Sequence, residues 1–276
     1  MSALLTVDRL GVRIDGPDPV DLVHAVDVAL APGERLGIIG ESGSGKSLTA
    51  LAVLGLLGHP LVAHGSARVA TDAGEVEIVG TPSRRLDRVR GAIMSAVFQE
   101  PLSSLDPLMR VGKQVAWPLA HHRGLRGDAL RRGVLDALAD VQLSDPERIA
   151  RSYIHEISGG QRQRVAIAIA LAAGPRLLIA DEPTTALDVT VQAGILELLQ
   201  REVAERGMAL IFISHDLPVV SGIADRVLVM RGGRQVELGD TAQILGAPGD
   251  PYTAELVAAS RRLDDFLPRS TSGRGA

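Results

Sequence analysis

The sequence contains no cysteine. Disulfides, thiolate zinc centres and iron–sulfur clusters are therefore excluded, and a reducing compartment fits. Aromatic residues are almost as scarce, at 2% of 276 residues, so a core has to be built from Leu, Val, Ile and Ala, which the 46% hydrophobic content supplies. No apolar run reaches the roughly 18 residues of a membrane span. The longest, Leu48 to Leu57, is broken by Thr49 and Gly55. No secretory leader is expected in residues 1–20, because Asp8, Arg9 and Asp15 interrupt any apolar region. The chain is expected to stay in the cytoplasm and to reach a membrane only by docking. A basic excess is also missing: the net charge of −4 argues against a nucleic-acid partner held by a positive face. The local clusters Arg84, Arg85, Arg88, Arg90 and Arg123, Arg126, Arg131, Arg132 read as solvated faces balanced by nearby acids, or else as a contact to a partner.

Lysine is rarer still. Only Lys46 and Lys113 occur, in a Lys+Arg total of 29. One of the two closes the stretch Gly40-Glu41-Ser42-Gly43-Ser44-Gly45-Lys46-Ser47. The apolar run Leu36-Gly37-Ile38-Ile39 before it reads as a buried strand, and residues 48–54 after it as a helix. Strand, G-x-x-x-x-G-K-S and helix make a phosphate-binding P-loop. Glycines let successive backbone N–H groups face one concavity, and a helix N-terminus favours an anion there. The Lys46 ammonium suits the β- and γ-phosphates, and the Ser47 hydroxyl suits Mg²⁺.

Along the chain, residues 3–14 and 22–30 read as strands of a small antiparallel sheet, with turn chemistry at Gly16-Pro17-Asp18-Pro19. A weak hairpin is expected over 67–80 and a buried strand over 92–98. From Pro101 to about Ile157 the pattern turns helical, with Leu130, Val134, Leu138 and Val141 on one face. That stretch looks like an insertion between two halves of an α/β core. Helices are expected at 161–173 and 189–206, strands at 177–180 and 208–213, and a hairpin around Gly232-Gly233. Strands alternating with helices imply a mostly parallel sheet covered on both faces.

Further polar residues fall at element ends. The strand Leu177 to Ala180 ends in Asp181 and Glu182. Behind a P-loop, Asp181 is placed to hold Mg²⁺ and Glu182 to polarise the water attacking the γ-phosphate; otherwise they are a solvated acidic pair. Ser158-Gly159-Gly160-Gln161 opens the helix at 161–173. Ser158 is either a plain helix cap or, with the two glycines, part of a second anion site shared between two chains. Gln99 ends its strand as either a surface amide or a contact to Mg²⁺ or its water. His215 follows the strand at 208–213 and would point into the ligand crevice, or else is structural. The remaining six histidines show no metal-like spacing.

Together these motifs resemble the nucleotide-binding subunit of ATP-binding cassette (ABC) transporters over about residues 4–262. The resemblance rests on the P-loop at 40–47, a glutamine loop at Gln99, a signature at 158–161, the strand at 177–182 and a switch histidine at His215. It implies an α/β P-loop NTPase of ABC type: a mostly parallel core sheet, an antiparallel β subdomain, and a helical subdomain at about 101–160 inserted in the core. The cassette would span 1–263, leaving 264–276 as a disordered tail. It implies ATP and Mg²⁺ as cofactors, with Ser47, Gln99 and Asp181 toward the metal. Glu182, His215 and Lys46 would be catalytic, and Asp188 would lie on a loop crossing a dimer interface.

The implied partners are two transmembrane permease subunits, a second ATPase cassette (a different chain or an identical one) and, indirectly, an extracytoplasmic solute-binding protein. The chain would sit at the cytoplasmic face of the membrane. Phe98-Gln99-Glu100-Pro101, Pro183-Thr184-Thr185-Ala186-Leu187-Asp188 and Asp250-Pro251-Tyr252-Thr253 are similar to the dipeptide, oligopeptide and nickel importer subfamily. Asp250 stands where that family has His, and Ile14 where it has an adenine-stacking aromatic. The expectation is peptide uptake, with a nickel or metal-chelate solute as the alternative. A soluble cassette acting on DNA or ribosomes, or a nucleotide-gated regulator, are readings from other classes.

Overall fold

The computed structural model describes residues 3–100, 104–185 and 187–266. Its first strands, β1 (Leu5–Ile14) and β2 (Val20–Leu30), are followed by β3 (Arg35–Ile39) and helix α1 (Lys46–Leu54). A hairpin of β4 (Leu61–Thr71) and β5 (Gly74–Glu77), the short helix α2 (Ser83–Leu86) and β6 (Met94–Val97) complete the first half. Helices α3 (Val111–Arg123), α4 (Gly127–Asp140) and α5 (Pro146–Arg151) form a helical subdomain, from which α6 (Gly159–Leu171) leads back to the sheet. The second half runs β7 (Leu177–Asp181), α7 (Val189–Arg206), β8 (Ala209–Ile213), α8 (Leu217–Ser221), β9 (Arg226–Arg231), β10 (Arg234–Asp240), α9 (Thr241–Gly246) and α10 (Pro251–Phe266).

The ten strands lie in the order β5-β4-β1-β2-β10-β9-β3-β8-β7-β6. From β9 to β6 every pairing is parallel, while β1, β2, β4 and β5 pair antiparallel. The parallel strands are mostly apolar because both faces are covered, with charged residues such as Arg35, Asp181, Arg226 and Arg231 at their ends. On β8, Ala209, Ile211 and Ile213 face a core shared with α1 and the antiparallel wing, while Leu210 and Phe212 face the helices on the other side. With so few aromatics, both cores are packed almost wholly by aliphatic side chains.

The expected helical stripe is present: Val134 and Leu138 of α4 are buried, Leu130 packs beside them, and Val141 is buried just past the helix end. An ion network ties this subdomain to the core. Arg206 of α7 reaches Asp140 at 3.0 Å and the buried Glu202 at 2.8 Å, and Arg201 also pairs with Glu202. Residue 101, the expected start of the helical pattern, lies outside the described residues; Ser104 is helical, and helix α3 starts at Val111. The disordered tail expected from 264 is corrected over 264–266, which continue α10. Residues 267–276 lie outside the described residues.

Candidate nucleotide site

The parallel topology brings three strand ends together. Strand β8 lies between β3 and β7, so the chain leaving β3 toward α1 faces Asp181 and Glu182 at the end of β7 and His215 just past β8. The loop at 40–47 is held from behind by the β9–β10 turn: the Gly233 N–H donates to the Ser44 carbonyl at 3.0 Å. Gly40 has φ +151°, and a Cβ there would lie 2.1 Å from the Met230 carbonyl oxygen. Gly40→Ala is therefore expected to cost at least about 2 kcal/mol through backbone strain and overlap, read as a lowered denaturation midpoint. Gly45, at φ +97°, caps α1 in the left-handed region.

Lys46 is only 5% exposed. Its ammonium folds back over the loop and donates to the carbonyls of Gly40 (2.8 Å) and Glu41 (2.9 Å). Burial lowers its pKa, and the nearby charges of Glu182 and Asp181 oppose that shift. The next residue, Ser47, donates from Oγ to Asp181 Oδ1 at 3.1 Å. Burial raises the Asp181 pKa, with the Ser47 bond opposing it, the Glu182 charge adding to it and Lys46 opposing it.

Glu182 sits at φ +46°, a conformation that costs a non-glycine residue energy and therefore needs support. Its N–H donates to the Ile213 carbonyl at 2.9 Å. Its carboxylate is gripped at both ends. The Thr185 hydroxyl donates to Oε2 at 3.0 Å, and His215 Nδ1 lies 3.3 Å from Oε1. His215 is thus in the crevice, in contact with the acid one residue past Asp181. The motif holding Thr185 assigns it no role in sequence; its hydroxyl three residues after Glu182 is the signal for one.

Gln99 lies two residues beyond β6, whose Val97 pairs with Ala180 of β7. It is exposed at the same edge of the sheet, and among the described residues no hydrogen bond joins it to Ser47 or Asp181. The signature residues form a separate group. Ser158 does cap α6: its hydroxyl accepts from the Gln161 N–H at 3.3 Å, and the Gln161 side chain accepts from the Ser158 N–H at 3.0 Å. Asp188 caps α7, accepting from Val191 N–H at 3.0 Å. The two helix starts pack together, since a Cβ on Gly160 would lie 2.8 Å from Val191 Cγ1. Ser158, Gly159 and Asp188 are exposed, and Val189 is 83% exposed. Among the described residues no hydrogen bond links this group to the loop at 40–47.

The Ser47 hydroxyl and the Asp181 carboxylate are hard oxygen donors of the kind Mg²⁺ takes when phosphates and water complete its shell. No cluster of three or more His, Cys, Asp or Glu residues able to hold a metal alone occurs among the described residues. The donor set therefore fits an ion that arrives with a phosphate ligand.

The family model described as ABC transporter matches residues 23–185. The chain belongs to the ABC transporter family. It is 46% identical over 258 residues to the peptidoglycan transport ATP-binding protein YejF of Agrobacterium fabrum, covering 93% of this chain and 47% of that protein. The chain thus spans about half the length of that relative. It is 45% identical over 266 residues to the oligopeptide transport ATP-binding protein OppD of Escherichia coli, covering 95% of this chain and 77% of that protein. Among solved structures it resembles a dimeric post-hydrolysis state of the ATP-binding cassette MJ0796 bound to ADP and Pi. That match has a TM-score of 0.74 and 28% identity, covering 86% of this chain and 98% of that one. The fold is therefore that of an ABC ATPase.

Proposed function

We propose that this chain binds and hydrolyses ATP as the nucleotide-binding subunit of an ABC importer, energising uptake of peptides at the cytoplasmic face of the membrane. The observation that carries the reading is the single crevice in which Lys46, Ser47, Asp181, Glu182 and His215 meet, in a chain whose curated relatives include an oligopeptide transport ATP-binding protein.

In this reading the backbone N–H groups of residues 40–47 and the N-terminus of α1 cradle the phosphates. Lys46 exchanges its two carbonyl partners for phosphate oxygens. Ser47 and Asp181, and Gln99 as the family resemblance implies, would hold Mg²⁺, which when bound would neutralise charge on the phosphates. Glu182 takes a proton from the water that attacks the γ-phosphorus as the bond to the β–γ bridging oxygen breaks. Thr185 and His215 keep its carboxylate aimed. The exposed Ser158, Gly159 and Asp188, with the half-buried Gly160 and Gln161, form a face suited to the nucleotide of a second cassette, identical or different; the MJ0796 cassette bound to ADP and Pi is dimeric.

A groove of about 980 Å³ between the core and the helical subdomain is lined by Phe98, Leu105, Met109, Trp117, His121 and Ile169. Trp117 is 62% exposed there. This apolar concavity beside Gln99 suits an inserted segment of a permease subunit. No helix among the described residues is long and apolar enough to cross a membrane, which fits a docked subunit. An extracytoplasmic solute-binding protein would act on this chain only through the permeases.

Tagged chain recovered from membranes tests the assembly. Two permease subunits and a second cassette are expected to co-purify; recovery with ribosomes or nucleic acid instead would overturn the transport reading. The adenine end is open to a second test. Ile14, 36% exposed, pairs with Val20 at the rim of the antiparallel wing. Ile14→Tyr is expected to tighten ATP binding by about two- to tenfold, the value of one aromatic stacking contact, measured by titration with a fluorescent ATP analogue.

A further inference from the structure

The last helix reaches back to the phosphate loop. Tyr252, in the first turn of α10, is only 5% exposed, and its hydroxyl accepts from the Glu41 N–H at 3.4 Å. That bond is long, but the ring that carries it is held from several sides. The Arg231 guanidinium lies 4.5 Å from the ring centroid. Its neighbour Met230 supplies the carbonyl that excludes a side chain from Gly40. The Tyr252 N–H donates to Asp250 Oδ1 at 2.8 Å. The turn before it is fixed by Glu237, whose carboxylate accepts from the N–H groups of Gly249 (2.8 Å) and Asp250 (3.1 Å) and from Gln243 Nε2 (3.0 Å). Burial raises the Tyr252 pKa; the Glu41 N–H opposes that and the Glu41 carboxylate adds to it, so the phenol keeps its proton near neutrality.

We propose that Tyr252 is a positioning residue for the ATP loop: anchored by Arg231 and the Glu237-bound turn, its hydroxyl pins Glu41 and pre-sets the loop for phosphate. The proposal rests on the reading that residues 40–47 bind ATP. A glycine-rich loop has many conformations to lose when it closes on an anion. A contact that already fixes its second residue reduces that loss, so it acts on affinity rather than on the chemical step.

The test uses the full chain and the Tyr252→Phe variant, which keeps the ring and removes the hydroxyl. Two quantities are measured: the Kd for a fluorescent ATP analogue, and hydrogen exchange of peptides spanning 40–47 without nucleotide. The Kd is expected to rise about three- to tenfold, the weight of one hydrogen bond, with faster exchange at 40–47 and a melting temperature little changed. Unchanged exchange, with or without a change in Kd, overturns the proposal, as does an unchanged Kd. Arg231→Gln keeps the hydroxyl but frees the ring. It is expected to shift both readouts in the same direction by a smaller factor, and it carries the test if Tyr252→Phe does not fold. Failure of the wild type to bind ATP would sink the nucleotide reading, while the exchange measurement, which needs no nucleotide, still reads Tyr252.

Discussion

Glu182→Gln is expected to lower ATP turnover of the assembled complex by at least about 100-fold, the usual weight of a general base, while leaving ATP affinity near the wild-type value. The reason is local. Glutamine keeps the size of the side chain and can still accept from Thr185, which lies 3.0 Å from Oε2 in the wild type. The strained backbone at φ +46° is held by the Ile213 carbonyl rather than by the carboxylate. Only the ability to accept the proton of the attacking water disappears. Single-turnover hydrolysis together with nucleotide binding separates the two effects. Undiminished turnover would remove Glu182 from the reaction, and a parallel loss of binding would mean that it shapes the site instead.

Lys46→Ala should act on the other side of that division. Its ammonium is buried, and its donors are directed at Gly40 and Glu41 within the loop. Removing it leaves two carbonyls without that partner and takes away the positive charge facing the β- and γ-phosphates. Charge-assisted hydrogen bonds contribute roughly twice as much as neutral ones, so ATP affinity is expected to fall on the order of 100-fold, reported by titration with a fluorescent analogue. Thermal melting of the nucleotide-free variant checks that the loop still folds. A Kd within a factor of three of wild type would show that Lys46 serves only to close the empty loop.

The parallel core was legible in the sequence because its strands are covered on both faces. Leu177 to Asp181 and Ala209 to Ile213 are wholly buried, and runs of that kind between helical stretches have few other homes. The P-loop was equally legible, since its glycines, lysine and serine are adjacent in sequence as well as in space. Contacts between distant segments were not. The approach of Tyr252 to Glu41 closes over 211 residues, whereas the grip of Thr185 on Glu182 spans only three and leaves a hydroxyl at that spacing as its signal. Helix α10 does carry a local signal, proline at its first position directly after Asp250. Ser158 shows a different limit. As a helix cap its role is complete within this chain, and its exposure is the feature that leaves it available to a second chain.

ATP-driven uptake into proteoliposomes tests the transport reading most directly. The vesicles would contain this chain with the permeases and second cassette that co-purify with it, and the solute-binding protein would be supplied outside. Labelled oligopeptide is expected to accumulate only with ATP inside the wild-type vesicles, and accumulation is expected to fall at least about 100-fold with Glu182→Gln. Peptide entry that is indifferent to ATP, or equal in the Glu182→Gln vesicles, would contradict it.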